Sequence, residues 1–390
     1  MEPKIRFKGF EGEWKTPLFS EMVERISASG QAGMLPGVEF EDIASGEGCF
    51  NKNIYQKECH KYGKLFYEDD ILFGKLRPYL KNIILADFNG VAIGDFWVLR
   101  SKGFDEKYLY TLVNSESFLK VANISSGSKM PRADWNLVST TKFVVPSAKD
   151  EQKAIGKYFT SLDSQISAST SRLASLKQMK AASLQAMFPQ EGETVPKIRF
   201  KGFEGEWKKV SFKDFTFHAG AKNRDNLPLE SYSISNEFGF IPQNEQFENG
   251  GTMTQADKRM YYIVSPNSFA YNPARINVGS LGYYEGKEDV IVSSLYEVFK
   301  TDDTICDKFL LYWFKTDIFQ KMIEQFQEGG VRLYFFYDKM CKCSLKRPSL
   351  AEQQAIASYF TSLDRQISLQ SQRLEKLKQI KSACLDKMFV

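Results

Sequence analysis

EQKAIGKYFTSLDSQISASTSRLASLKQMKAASLQAMF, residues Glu151–Phe188, returns near the other end of the chain as EQQAIASYFTSLDRQISLQSQRLEKLKQIKSACLDKMF, residues Glu352–Phe389. Each copy follows a Pro-Ser pair, and Ser349 with Glu352 has capping-box spacing, which Ser147 and Asp150 approach less closely. Neither copy holds an internal proline or more than one glycine. Apolar residues then alternate at spacings of four and three: Ile155, Phe159, Leu162, Ile166, Leu173, Leu176 and Met187 in the first copy, and Ile356, Phe360, Leu363, Ile367, Leu374, Leu377 and Met388 in the second. A period of about 3.5 residues marks a coiled-coil seam. Polar residues interrupt it at the same places in both copies, Ser169/Gln370 and Lys180/Lys381, which costs stability and restricts register. Each helix would be roughly 57 Å long. The natural partner for each stripe is the other copy, the alternative being a helix laid on its own globular core.

A second repeat sharpens the architecture. PKIRFKGFEGEWK at Pro3–Lys15 recurs unchanged at Pro196–Lys208, whereas residues 16–145 and 209–347 share little sequence. The first helix leads through the linker PQEGETV into the second copy of this peptide, and the second helix ends the chain. If the halves are related by a pseudo-twofold axis, Phe389 should lie near Pro3 as Phe188 lies near Pro196, and the helices must run antiparallel. The expected fold is α+β, with two globular domains at opposite ends of an antiparallel two-helix coiled coil, circularly arranged. The expected divisions are a first domain at 1–147, a helix at 148–188, a linker at 189–195, a second domain at 196–348 and a helix at 349–390. Two unlike domains on a rigid rod suit a split target, and duplex DNA offers equivalent groove faces about every 34 Å.

Bulk properties permit this reading without demanding it. With 390 residues, 43% hydrophobic and 26% charged, the chain can bury more than one core. Its net charge of +4 and pI of about 8.5 are mildly basic. No run of about 18 apolar residues suggests a membrane span, and the first residues, MEPKIRFKGF, lack the pattern of a secretory signal. A cytoplasmic protein with free thiols is expected. Six scattered cysteines and only two histidines, His60 and His218, give no zinc-type ligand pairs; Cys59 beside His60 reads as incidental.

The repeats, with the entry PS…EQxAIxxYFTSLDxQI and the exit LKxxKxxxLxxMF of each helix, resemble the specificity subunits of Type I restriction-modification enzymes. So do DDILFGKLRPYLKN (Asp69–Asn82) and SFAYNPARINVGSLG (Ser268–Gly282). The resemblance covers essentially the whole chain. It implies two target recognition domains, each reading half of a bipartite double-stranded DNA site, and helices that dock two methyltransferase subunits. Those partners methylate adenine with S-adenosylmethionine, and motor-nuclease subunits using ATP and Mg complete the complex. It implies a bacterial cytoplasmic protein that holds no cofactor or metal of its own.

Candidate DNA contacts follow from the variable segments. On an extended segment Lys75, Arg77, Tyr79 and Lys81 share one face, as Tyr271, Arg275 and Asn277 do in the second domain, with Asn272 beside them. Arginine can pair with guanine and asparagine with adenine; the plain alternative is a solvated strand face. Each variable region closes with a glycine-and-basic segment, SSGSKMPRADW (Ser125–Trp135) and EGGVRLYFFYD (Glu328–Asp338), contributing Lys129, Arg132 and Arg332. The aromatic stretches DFWVLR and YFFYD are expected in the core.

Catalytic motifs are missing. Asn272-Pro273-Ala274-Arg275 shares only its first two residues with the Asn-Pro-Pro-aromatic motif of adenine methyltransferases, and no phosphate-binding GxxxxGK[ST] loop occurs. The chain is therefore expected to recognise DNA while partners do the chemistry. Two other readings stand beside it: a coiled-coil adaptor whose end domains bind proteins, and a self-contained restriction-modification enzyme whose catalytic region has been lost or lies on another chain.

Overall fold

The computed structural model describes residues 3–33, 35–124, 130–246 and 257–389. The first long helix spans Lys149–Ala186 and the second Leu350–Met388. Two compact units divide the chain within these helices: residues 1–173 with 369–390, and residues 174–368.

In the first unit a four-stranded antiparallel sheet runs in the order Val23–Ile26, Phe96–Ser101, Ile71–Gly74, Ile83–Leu85. Its middle strands read ILFG and FWVLRS and are buried on both faces, as continuous apolar runs should be. A second sheet is ordered Ser29–Gln31, Tyr62–Phe66, Gly90–Ala92, Gly37–Val38, with the last pair parallel. Around the first sheet a core forms from Phe19, Phe73, Trp97, Phe118 and Phe143.

The second unit repeats this plan from unlike residues. Its antiparallel sheet is ordered Thr216–His218, Glu297–Thr301, Ser268–Tyr271, Leu281–Tyr284. The other sheet runs Tyr262–Val264, Val290–Val292, Ser231–Ser235, Gly239–Pro242, again with one parallel pair. The two versions differ in which side carries the extra edge strand. As expected, the aromatic stretches fill cores: Phe96, Trp97 and Phe335 are buried, although Phe336 stays partly exposed.

The repeated peptides act as clamps. In the first unit the Arg6 guanidinium grips Glu151 at 2.6 and 2.8 Å and also donates to the carbonyls of Glu11 and Gly12. In the second, Arg199 holds Glu352 at 2.7 and 2.8 Å and donates to Glu204 and Gly205. Both glutamates are buried. The Ile5 amide donates to the Lys387 carbonyl at 3.2 Å, so the first peptide meets the end of the second long helix. Correspondingly, the Ile198 amide donates to Ala186 at 2.9 Å. The capping box is only half made: Ser349 Oγ accepts from the Glu352 amide, while the Glu352 carboxylate serves Arg199. Ser147 instead donates to the Glu13 carbonyl.

The glutamines that follow these glutamates tie the long helices to the variable domains. Gln152 Oε1 accepts from the Asp105 amide at 3.0 Å, and Gln353 Oε1 from the Cys306 amide at 2.8 Å. Both residues are N-caps of short domain helices.

Within each unit the helix segments run antiparallel. In the first, Tyr158 meets Cys384, Asp163 pairs with Lys381 at 2.6 Å, and Gln370 Nε2 donates to the Ser169 carbonyl at 3.2 Å. In the second, Ser183 meets Tyr359 and Lys180 pairs with Asp364 at 2.5 Å. The polar interruptions of the stripe are thus matched to polar partners. One correction concerns the early stripe residues, which serve more than the opposite helix. Ile155, Phe159 and Leu162 belong to the core of the first unit, and Ile356 and Phe360 to that of the second; Leu363 and Leu176 are also buried. Ile166, Leu173, Ile367, Leu374 and Leu377 are half-buried. Among the described residues no helix is long and apolar enough to cross a membrane.

Candidate nucleic-acid interface

The central strand Ile71–Gly74 ends at a glycine, and the next residues do not continue it. Arg77 and Lys81 take left-handed conformations, φ 51° and 53°, on either side of a 3-10 turn at Pro78–Leu80. This overturns the shared strand face expected for Lys75, Arg77, Tyr79 and Lys81, because Pro78 favours the turn and two left-handed residues reverse the chain. Arg77 and Tyr79 are exposed at the turn, and Arg77 has no carboxylate partner among the described residues. Lys81 pairs with Glu116 at 3.2 Å.

The second unit builds the same device. Strand Ser268–Tyr271 is followed by a 3-10 turn at Ile276–Val278, with Arg275 at its N-cap and Gly279 left-handed at its end. Arg275 therefore occupies the position that Arg77 occupies in the first unit. Arg275 and Asn277 are exposed. Tyr271 is not: it is wholly buried in the core beside Phe299, which corrects its grouping with Arg275 and Asn277. Asn272 is half-buried, its Oδ1 accepting the Ala274 amide at 3.0 Å. A polar cleft of about 210 Å³ opens beside Asn272 and Arg275, lined also by Ser233, Ser235, Asn236, Ser280 and Tyr296. Sequence reasoning missed Asn236 and Tyr296, which sit far from the turn in the chain and carry no pattern of their own.

The closing basic segments come back to these turns. In the first unit the Arg77 amide donates to the Pro131 carbonyl at 2.8 Å, and the Ala133 amide to the Lys75 carbonyl at 2.8 Å. Arg132 and Lys75 converge on Asp95, at 2.8 and 3.3 Å. Burial pushes the Asp95 carboxyl up, but hydrogen bonds from Arg132 and Lys75 outweigh it and hold the group below its ordinary value. One carboxylate thus orders two cations at the foot of the turn. Lys129 lies outside the described residues. In the second unit the Phe335 amide donates to the Pro273 carbonyl at 3.0 Å, bringing the segment of exposed Arg332 to the Arg275 turn. Each unit therefore gathers one exposed turn arginine and one closing segment on the same edge.

Residues 205–379 match the family model described as the Type I restriction modification DNA specificity domain. A curated relative, the Type I restriction enzyme MjaVIII specificity subunit of Methanocaldococcus jannaschii, is 21% identical over 74% of this chain and 70% of its own length. The crystal structure of the Type-I restriction-modification system S subunit from M. genitalium shares the fold, with a TM-score of 0.62 at 12% identity over 100% of this chain and 99% of that one. A chain from the structural work on complex assembly and conformational transition of the type I R-M system aligns with a TM-score of 0.51 at 18% identity, over 98% and 99% of the two chains.

Proposed function

Because the chain belongs to the specificity subunits of Type I restriction-modification systems, we propose that each of its units reads one half of a bipartite DNA site. The observation that carries this is the repeated turn. From unlike sequences, both units present an arginine, Arg77 or Arg275, with no carboxylate partner among the described residues, at the N-cap of a 3-10 turn that joins an inner strand of the antiparallel sheet to its edge strand. An exposed guanidinium on a short rigid turn suits bidentate pairing to guanine in the major groove. Tyr79 and Asn277 flank it. Lys75 with Arg132, Lys81, Lys129 and Arg332 serve phosphates, which position the protein without specifying sequence. Asn272 takes its place at the lip of the polar cleft.

In this reading residues 1–147 and 196–348 are the target recognition domains, and the helices at 148–188 and 349–390 form the antiparallel coiled coil that separates them. The antiparallel contacts inside each unit support that arrangement. The outer helix faces dock two methyltransferase subunits, and motor-nuclease subunits join them. S-adenosylmethionine, ATP and Mg act on those partners. This chain supplies recognition and no catalytic group, in the bacterial cytoplasm. Mapping genomic methyladenine in a host expressing the complete system tests the proposal. A single two-part motif with a constant gap is expected; continuous or absent motifs would overturn it. Methyl transfer by the purified chain alone would refute the division of labour.

A further inference from the structure

The last segment of the second variable region forms a small hairpin whose tip is apolar and faces solvent. Its stem is closed by reciprocal hydrogen bonds between Glu328 and Tyr334, at 2.9 and 2.8 Å, and Glu328 is held by Lys339 at 2.7 Å. At the tip Val331 is 106% exposed and Leu333 44%, on either side of Arg332. Below the tip, Phe335 is buried and its amide bonds to Pro273, while the Tyr334 and Phe336 rings stack 5.5 Å apart at 3°. Gly329 makes the bend: its φ is +137°, and a Cβ there would lie 2.1 Å from the Arg332 carbonyl. The rigid foot thus carries a projecting pair of aliphatic side chains that the fold does not use.

We infer that this tip is a wedge for duplex DNA, with Val331 and Leu333 pushing between stacked bases while Arg332 meets the adjoining phosphates. Three features favour nucleic acid over a protein partner. Arg332 has no carboxylate among the described residues. The five residues Gly329–Leu333 carry no acidic group. The stem is also hydrogen-bonded to the turn that bears Arg275, so the tip borders the proposed reading surface. Apolar side chains inserted at a base step unstack it and kink the duplex, and flanking cations hold the deformed backbone. Part of the sequence preference of the second unit would then come from how readily a step unstacks.

The inference rests on the DNA-reading proposal, and the test separates the two. The complete methyltransferase complex is titrated with duplexes carrying its mapped methylation site and 2-aminopurine at each half-site position in turn. The wedge predicts a fluorescence rise at one step of the half-site read by the second unit. It predicts loss of that rise in the Val331→Ser, Leu333→Ser double variant, with the melting transition of the complex unchanged. Tight binding with no rise at any position overturns the wedge and leaves DNA reading intact. A rise that persists in the double variant also overturns it. Loss of methyltransferase subunits from the variant, with unstacking retained, assigns the tip to protein docking instead. Failure to bind the mapped duplex overturns both proposals.

Discussion

Arg77 pays a conformational cost for its place. A left-handed backbone at a non-glycine residue costs roughly 1–2 kcal/mol, and Arg77 and Lys81 both adopt it around one short turn. Such strain persists where function selects it. Arg77→Gly should therefore keep or raise the thermal midpoint while weakening binding to the target duplex. Arg275→Ala, with an ordinary negative φ at that position, should lose about 1–3 kcal/mol of discrimination at one base. Anisotropy titration at physiological salt measures both, and unchanged affinity in the folded variants would sink the assignment. A different residue sets an acid response. Burial raises the Asp42 carboxyl, but Lys52, Lys57 and the Glu39 amide lower it further, for a net decrease. A depressed carboxyl contributes stability above its unfolded value of about 4, and that contribution is lost as pH falls through the folded value. Melting curves taken below about pH 4 should show this loss, and Asp42→Asn should flatten it.

The elements owe their junctions to buried charge. Glu151 and Glu352 are each 1% exposed and gripped by Arg6 or Arg199. Removing one partner of a buried pair strands the other, at a cost of about 3–5 kcal/mol. Arg199→Met should lower the melting midpoint sharply, whereas the double change with Glu352→Leu should recover much of the loss; calorimetry distinguishes them. The stripe holds a gentler trade. Gln370 is buried against the Ser169 carbonyl, and a polar group there exchanges stability for register. Gln370→Leu should raise the midpoint. The helices themselves were legible because period, capping and proline placement all agreed. Their double duty was not: nothing in the spacing of Ile155 and Phe159 distinguishes a residue facing another helix from one entering a domain core.

At the scale of the molecule, the first repeated peptide meets the end of the second long helix as the second copy meets the end of the first. Ile5 and Lys387 share a hydrogen bond of 3.2 Å, as Ile198 and Ala186 do at 2.9 Å where the linker joins them. Chain ends so placed tolerate rejoining. A permutant joining Phe389 to Pro3 through a copy of PQEGETV, opened within residues 189–195, should fold and keep the same methylated motif. A scrambled motif would contradict the equivalence of the two junctions. Exchanging residues 16–145 for the matching stretch of a relative should alter one half of the motif and leave the other and the gap unchanged.

The duplicated blocks determined by themselves the long helices and the matching places where polar residues interrupt their apolar stripes. Those features are written in local periodicity and in repetition, which survive without knowing where any side chain goes. Only the tertiary structure decided that two variable regions with little common sequence build the same pair of sheets, because many apolar sets satisfy one backbone plan. It also decided which candidate contacts are free to act. Tyr271 and Arg275 looked alike by alternation, yet the strand ends between them, so one fills the core and the other stands in solvent. Lys75 and Arg132 are distant in sequence, and only the fold brings both to Asp95.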